Sequence, residues 1–158
     1  MTSIDTNNAT GIGQNNITVS ITQDGGGMFD SNGCYSADTF PIEYGIPLES
    51  RKTIANQNAG IFTATFSQPV KNPLVAFSSV GNPSTYVPVS ASLPFTPIWN
   101  LPDSTTYQNP VSTNQYTQFT GNEGFNIIRL DGTVSSISFN YTANEYYCNV
   151  LFGFVNQN

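Results

Sequence analysis

Alternation with a period of two runs through nearly the whole chain, and it decides what such a chain can become. "NITVSIT" sets Ile17, Val19 and Ile21 on one side and Thr18 and Ser20 on the other. "IFTATFS" repeats the pattern through Phe62, Ala64 and Phe66, and "TVSSISFNY" through Ile137, Phe139 and Tyr141. Successive side chains of a strand point to opposite faces, so each stretch reads as a strand with one face buried. "PLVAFSS" is an unbroken apolar run, which predicts a strand covered on both faces. "QYTQFT" and "GFNIIRL" add further strands, and the terminal "EYYCNVLFGFV" puts Tyr146, Cys148, Val150, Phe152 and Phe154 on one face. Apolar residues are nowhere spaced by three and four over several helical turns. Only "PLESRKTIANQ" offers room for one short helical turn.

Turn signals separate these runs at Gln68-Pro69, Gly81-Asn82-Pro83, Gly121 to Gly124 and Asp131-Gly132. The Asp131-Gly132 pair predicts a hairpin between "FNIIRL" and "TVSSISF". Prolines in "TYVPVSAS" and "FTPIWNL" mark those stretches as edge strands or extended loops, and residues 100–114 read as a long connection. The segments together predict an all-β fold: a single antiparallel β-sandwich, jelly-roll-like, of about eight or nine strands with little or no helix. Residues 1–158 are expected to form one domain.

Only 9% of the residues are charged, against roughly 25% in an average soluble domain. Asn, Gln, Ser and Thr take their place, while 13% aromatic residues and many Val and Ile supply a core, so the chain folds rather than staying disordered. The net charge is −6, and the cations are Arg51, Lys52, Lys71 and Arg129 alone. A phosphate backbone needs clustered cations, so no nucleic-acid partner is expected. No stretch approaches the roughly 20 apolar residues of a membrane helix, and membrane insertion is not expected. "MTSIDTNNATGIG" lacks the basic and apolar regions of a signal peptide. Two addresses fit: the outside of a cell, as a piece of an exported protein, or the surface of a virion released by lysis.

"FTATFSQPVKNPLVAFSSVG" runs from an alternating strand through a Pro-Val turn into an apolar strand. "FTGNEGFNIIRLDGTVSSISFNY" and "EYYCNVLFGF" add a Gly-rich turn, a strand, a Gly-Thr turn, a Ser-rich strand and an apolar last strand. Together these stretches resemble the jelly-roll modules of bacterial surface and adhesin proteins. The likeness covers roughly residues 60–82 and 118–155. It implies a lectin-like sandwich and a surface address, and it brings no site residue with it.

There is no histidine, which removes the usual general base for a Ser or Cys nucleophile and the commonest zinc ligand. Cys34 and Cys148 lie too far apart in sequence for a Cys-x-x-Cys site. They read either as a disulfide tying a loop near the first strands to the last strand, or as two buried thiols. A glycosidase needs only a pair of carboxylates, and Glu123 and Glu145, beside predicted strand ends, are the pair to consider. Asp5, Asp103 and Asp131 fall in terminal, loop and turn positions, so the expectation is a protein without catalytic chemistry.

Oxygen ligands gather in one place, "DGGGMFDSNGCYSAD", with Asp24, Asp30, Asn32 and Asp38. Calcium takes about six to eight oxygens, several from carboxylates, and these four residues are the candidate set. The other reading is a wide turn in which Asp and Asn bond their own backbone and Gly supplies positive φ. Trp99, the one tryptophan, and Tyr107 sit in "PFTPIWNLPDSTTYQNP", and Tyr86 and Tyr116 lie in nearby polar stretches. Such rings stack on sugars or anchor a protein contact, although Trp99 would equally suit a core. Two roles follow. One is an adhesin-like module gripping a glycan or another surface protein. The other is a virion structural protein, a capsid decoration or a fibre or spike subunit, whose homo-oligomeric or larger assembly is its function.

Overall fold

The computed structural model describes residues 3–4, 8–12, 16–24, 28–32, 40–44, 52–56, 58–81, 84–144 and 148–154, with 3–4, 8–12, 28–32, 42, 52–56 and 148–149 as backbone. In chain order the strands are β1 (Ser3–Ile4), β2 (Asn8–Ile12), β3 (Thr18–Gln23), β4 (Met28–Asn32), β5 (Lys52–Asn56), β6 (Gly60–Lys71), β7 (Leu74–Val80), β8 (Val87–Asn100), β9 (Thr105–Ser112), β10 (Gln115–Gly121), β11 (Gly124–Leu130), β12 (Thr133–Tyr141) and β13 (Cys148–Gly153). All pair antiparallel. Nine of them, β3 and β6 to β13, form a curled body, and the short β1, β2, β4 and β5 extend its margins. This is the all-β sandwich class that the alternation predicts. Among the described residues no helix is long and apolar enough to cross a membrane.

Strand β8 makes two layers out of one sheet. Its Val89–Ala91 segment pairs with β12, while Phe95 to Asn100 pairs with β11. The first layer therefore runs β1-β2-β3-β6-β12-β8-β10-β9, and the second runs β8-β11-β7-β13-β5-β4. The connections β6 to β7 and β11 to β12 also cross between layers. Because β6 lies beside β12 and β7 beside β11, these four strands make a ribbon folded over both layers, in the jelly-roll manner.

The main core lies between the layers and takes the inward residues of the alternation. Val19, Ile21, Phe62, Ala64, Ile137 and Phe139 come from the first layer, and Val75, Phe77, Ile128 and Val150 from the second. A smaller cluster covers the outer side of the second layer, where Leu74, Ala76, Phe125, Ile127 and Leu151 lie under Phe40. Strand β7 is thus buried along its whole length and β11 along nearly all of it, as the unbroken run of β7 predicts.

Three expectations are corrected. Asp131-Gly132 is not a hairpin: β11 and β12 pair with β7, β8 and β6 but not with each other, and the turn carries the chain from one layer to the other. The two proline stretches fuse into β8, which has neighbours on both sides rather than lying at an edge. Pro88 is tolerated because it lies near the start of β8, beyond the Val89–Ala91 contacts with β12, and the other two prolines because the pairing slips around them. Pro94 falls between the Ser90 and Phe95 contacts with β10, and Pro97 sits at the register shift between Ile127 and Ile128. Residues 100–114 are mostly the strand β9, hydrogen-bonded to β10. The end of "PLESRKTIANQ" is the strand β5 and residues 47–51, where a short turn is expected, lie outside the described residues; the described helical turn is a single 3-10 turn at Ile42–Tyr44.

The layer-crossing turns are stitched together. The Asn72 amide donates to the Gly132 carbonyl at 2.7 Å, and the Gly132 amide donates to Asn72 Oδ1 at 2.7 Å. Asp131 accepts hydrogen bonds from Thr96 of β8, from Arg129 Nε at 2.6 Å and from Gln115 Nε2 at 3.1 Å. Burial pushes its carboxyl up, but the bonds from Thr96, Arg129 and Gln115 outweigh this and hold it below the ordinary 3.8. A carboxylate held down on folding stabilises the fold above its unfolded pKa, and that contribution is lost as pH falls through the folded value. Asp131→Ala is therefore expected to lower the unfolding free energy from urea denaturation at neutral pH by about 1 kcal/mol or less, because the group is largely solvent-screened. The deficit should shrink as pH falls below the ordinary carboxylate range, where the carboxyl of the wild type becomes protonated. A deficit that stays constant with pH would show that the carboxylate charge plays no part.

Candidate functional site

The outward half of the alternation has its own order. On the solvent side of the first layer, strand register aligns Thr22, Thr63 and Ser138 in one row and Ser20, Thr65 and Ser136 in a second. A third row runs Ile61, Asn140, Ser90, Gln118 and Gln108 across β6, β12, β8, β10 and β9. Neighbouring strands lie about 4.8 Å apart, which is close enough for adjacent hydroxyls to bond one another. They do so: the Thr63 and Ser138 hydroxyls are 2.8 Å apart and those of Thr65 and Ser136 3.3 Å. Asn109 Nδ2 donates to Gln118 Oε1 at 2.6 Å, and the Thr120 hydroxyl donates to Gln108 Oε1 at 3.2 Å.

No residue of these rows is charged. The first charged neighbour closes one end, where the Ile61 amide donates to Asp24 Oδ1 at 2.7 Å and the Asp24 amide donates to the Ile61 carbonyl. The result is a broad, neutral, pre-bonded sheet face of hydroxyls and amides, with Ile61, 44% exposed, as its apolar end.

The aromatic residues singled out from the sequence go to three places. Trp99 stands on β8, half-buried in the smaller cluster, with its ring edge-on to Phe40 at 5.8 Å. Tyr107 of β9 and Tyr116 of β10 come together with ring centres 5.6 Å apart, and both pack on Phe95 against the main core. Trp99 and Tyr107 therefore belong to different clusters, and the segment between them is a strand end, a short turn and a strand start rather than one loop. Tyr86, 63% exposed, precedes β8 by itself. The Tyr107 hydroxyl points inward beside Asn126, which is fully buried on β11, and neither side chain meets hydrogen-bond geometry. Burial pushes that hydroxyl up to about 12, with a smaller lowering by Asn126 and a small further rise from Tyr116. It stays protonated and turned from solvent.

Among the oxygen ligands, Asp24 is engaged by Ile61, and Asp30 and Asn32 belong to β4. Asp38 and Cys34 lie outside the described residues, while Cys148 opens β13 opposite Asn56 of β5. Among the described residues no three Asp, Glu, Cys or His come together as a metal site. Glu123 accepts from the Ser79 hydroxyl at 2.9 Å, and Glu145 lies outside the described residues. The row face itself is what the sequence reading passed over. Its first two rows are Ser and Thr positions of "NITVSIT", "IFTATFS" and "TVSSISFNY", and only the register shows that they line up.

No family model matches this chain, and neither does any curated protein or solved structure.

Proposed function

We propose that this chain is a non-enzymatic, adhesin-like interaction module of a cell or virion surface, and that it grips a neutral glycan through the outer face of its first layer. One observation carries the reading: uncharged hydroxyl and amide side chains aligned in rows across β3, β6, β12, β8, β10 and β9. Sugar hydroxyls donate and accept at once, and Ser, Thr, Asn and Gln do the same. A neutral face also avoids the cost of stripping water from an unpaired charge. The rows are bonded to each other before any ligand arrives, so less side-chain freedom is lost on binding. Another surface protein could be read by the same groups. The other role, a virion subunit whose work is assembly, is favoured by β9, which among the described strands pairs with β10 alone.

The test is a glycan array probed with the purified chain, once in calcium and once in chelator. Binding is expected in both, because the rows contain no carboxylate. Thr65→Lys and Asn140→Lys, at exposed positions, should weaken it by about tenfold or more, or roughly 1.4 kcal/mol, with circular dichroism unchanged. Full binding by both variants, or loss of wild-type binding in chelator, would move the site off this face. In the second case the Asp24 to Asp38 stretch becomes the site. A blank array would remove glycan as the ligand.

A further inference from the structure

We infer that the open side of β9 is a pairing surface for a second copy of this chain, joined antiparallel about a two-fold axis so that two first layers form one continuous sheet. Among the described strands β9 bonds only to β10, and most of its residues are exposed. An open edge invites strand addition unless charge, proline or a bulge blunts it. Neither β9 nor β10 carries a charged residue. The blunting features of β9, Asn109 at φ 53° and Pro110 beside a register shift, lie in its second half. That leaves Thr105–Gln108 as a regular segment in unbroken register with Gln118–Gly121.

Why the occupant should be another copy follows from self-complementarity. A two-fold axis near Tyr107 places Thr106 of one molecule beside Gln108 of the other, and the two Tyr107 rings side by side. Hydroxyl–amide and aromatic pairs are favourable across strands, and isologous pairing needs only one such patch. The chain's charge of −6 would repel a second copy elsewhere, but it is missing from this edge. Behind the edge the half-buried rings of Tyr107 and Tyr116 would be covered. Pairing also carries the Asn140, Ser90, Gln118, Gln108 row from one copy into the next, doubling the neutral face. The inference does not depend on which ligand that face takes.

Sedimentation equilibrium of the full chain, from micromolar to millimolar concentration, should fit a monomer–dimer equilibrium. Thr106→Lys with Gln108→Lys sets four lysines across the axis and should weaken the dimer by about a hundredfold or more, while Thr65→Lys leaves it intact. In the wild type, amide exchange at Thr105–Gln108 should slow as concentration rises, a readout that needs no variant. A wild type that is monomeric throughout, or a dimer indifferent to the two lysines or without edge protection, overturns the inference. Gln108 belongs to both surfaces, so the separating variant is Thr65→Lys: glycan binding lost there with the dimer kept tells the two proposals apart.

Discussion

Gly81→Ala is expected to cost more than about 3 kcal/mol, the sum of a strained backbone and an overpacked corner. Gly81 ends β7 at φ 76°, and a Cβ built there would stand 2.3 Å from the Gly121 carbonyl oxygen and 2.8 Å from that of Thr85. Both obstacles are backbone, so no side chain can swing aside. Gly121 is as tight in turn, its own Cβ falling 2.3 Å from the Val80 oxygen, and one on Gly124 would lie 2.9 Å from the Gly121 Cα. Three glycines thus let the ends of β7, β10 and β11 meet backbone to backbone. Ser104 locks the corner, its carbonyl accepting from the Asn122 amide at 2.9 Å and its hydroxyl from the Phe125 amide at 3.3 Å.

Gly132→Ala is the control. It has φ 98° but nothing within 4 Å of a new Cβ, so it carries the backbone strain alone, on the order of 1–3 kcal/mol. Urea midpoints measured side by side should place Gly81→Ala clearly below Gly132→Ala. Equal losses would mean that the close approach of β7 and β10 is softer than its distances imply. The corner matters for the proposed face as well: Gly121 pairs with both Val87 and Thr105 and so sets the register that aligns Ser90, Gln118 and Gln108.

What the sequence disclosed and what it withheld follow one division. Inward positions such as Val19, Phe62 and Phe139 announce themselves, because burial selects apolar residues and a strand shows them at every second place. Outward positions such as Thr63 and Ser138 are equally visible one at a time, yet their row exists only through pairing between residues 75 apart in sequence. Local pattern contains no such information. The same gap explains Asp131-Gly132, whose dipeptide is right for a tight turn but silent on whether the two strands pair or part. Prolines misled for a related reason. They exclude a regular central strand, whereas β8 is central and irregular, with slips at Pro94 and Pro97. Trp99 and Tyr107 are close in sequence and read as one loop, but a short turn separates two strands that carry their rings to opposite sides of the second layer.

Phe77→Ala should bring the chain close to unfolding. Phe77 belongs to β7 in the second layer and is wholly buried, and its ring meets Phe119 of β10 at 4.9 Å and Phe139 of β12 at 5.0 Å. Both partners belong to the first layer, so this side chain is where the layers are held against each other. Truncating a buried Phe costs about 3–5 kcal/mol, since the cavity left behind closes only partly. Two aromatic contacts go with it, each contributing roughly 0.5–1.5 kcal/mol beyond burial and overlapping with the first figure. Against a typical total of about 5–15 kcal/mol, little remains. Trp99→Ala removes a larger ring but one that is half-exposed and meets Phe40 alone among the described rings, so its loss should be smaller by about half or more. Chemical denaturation of the two variants compares the inter-layer core with the outer cluster directly. If Trp99→Ala proved as costly as Phe77→Ala, the cover formed by Phe40 and Trp99 would be holding the second layer in place.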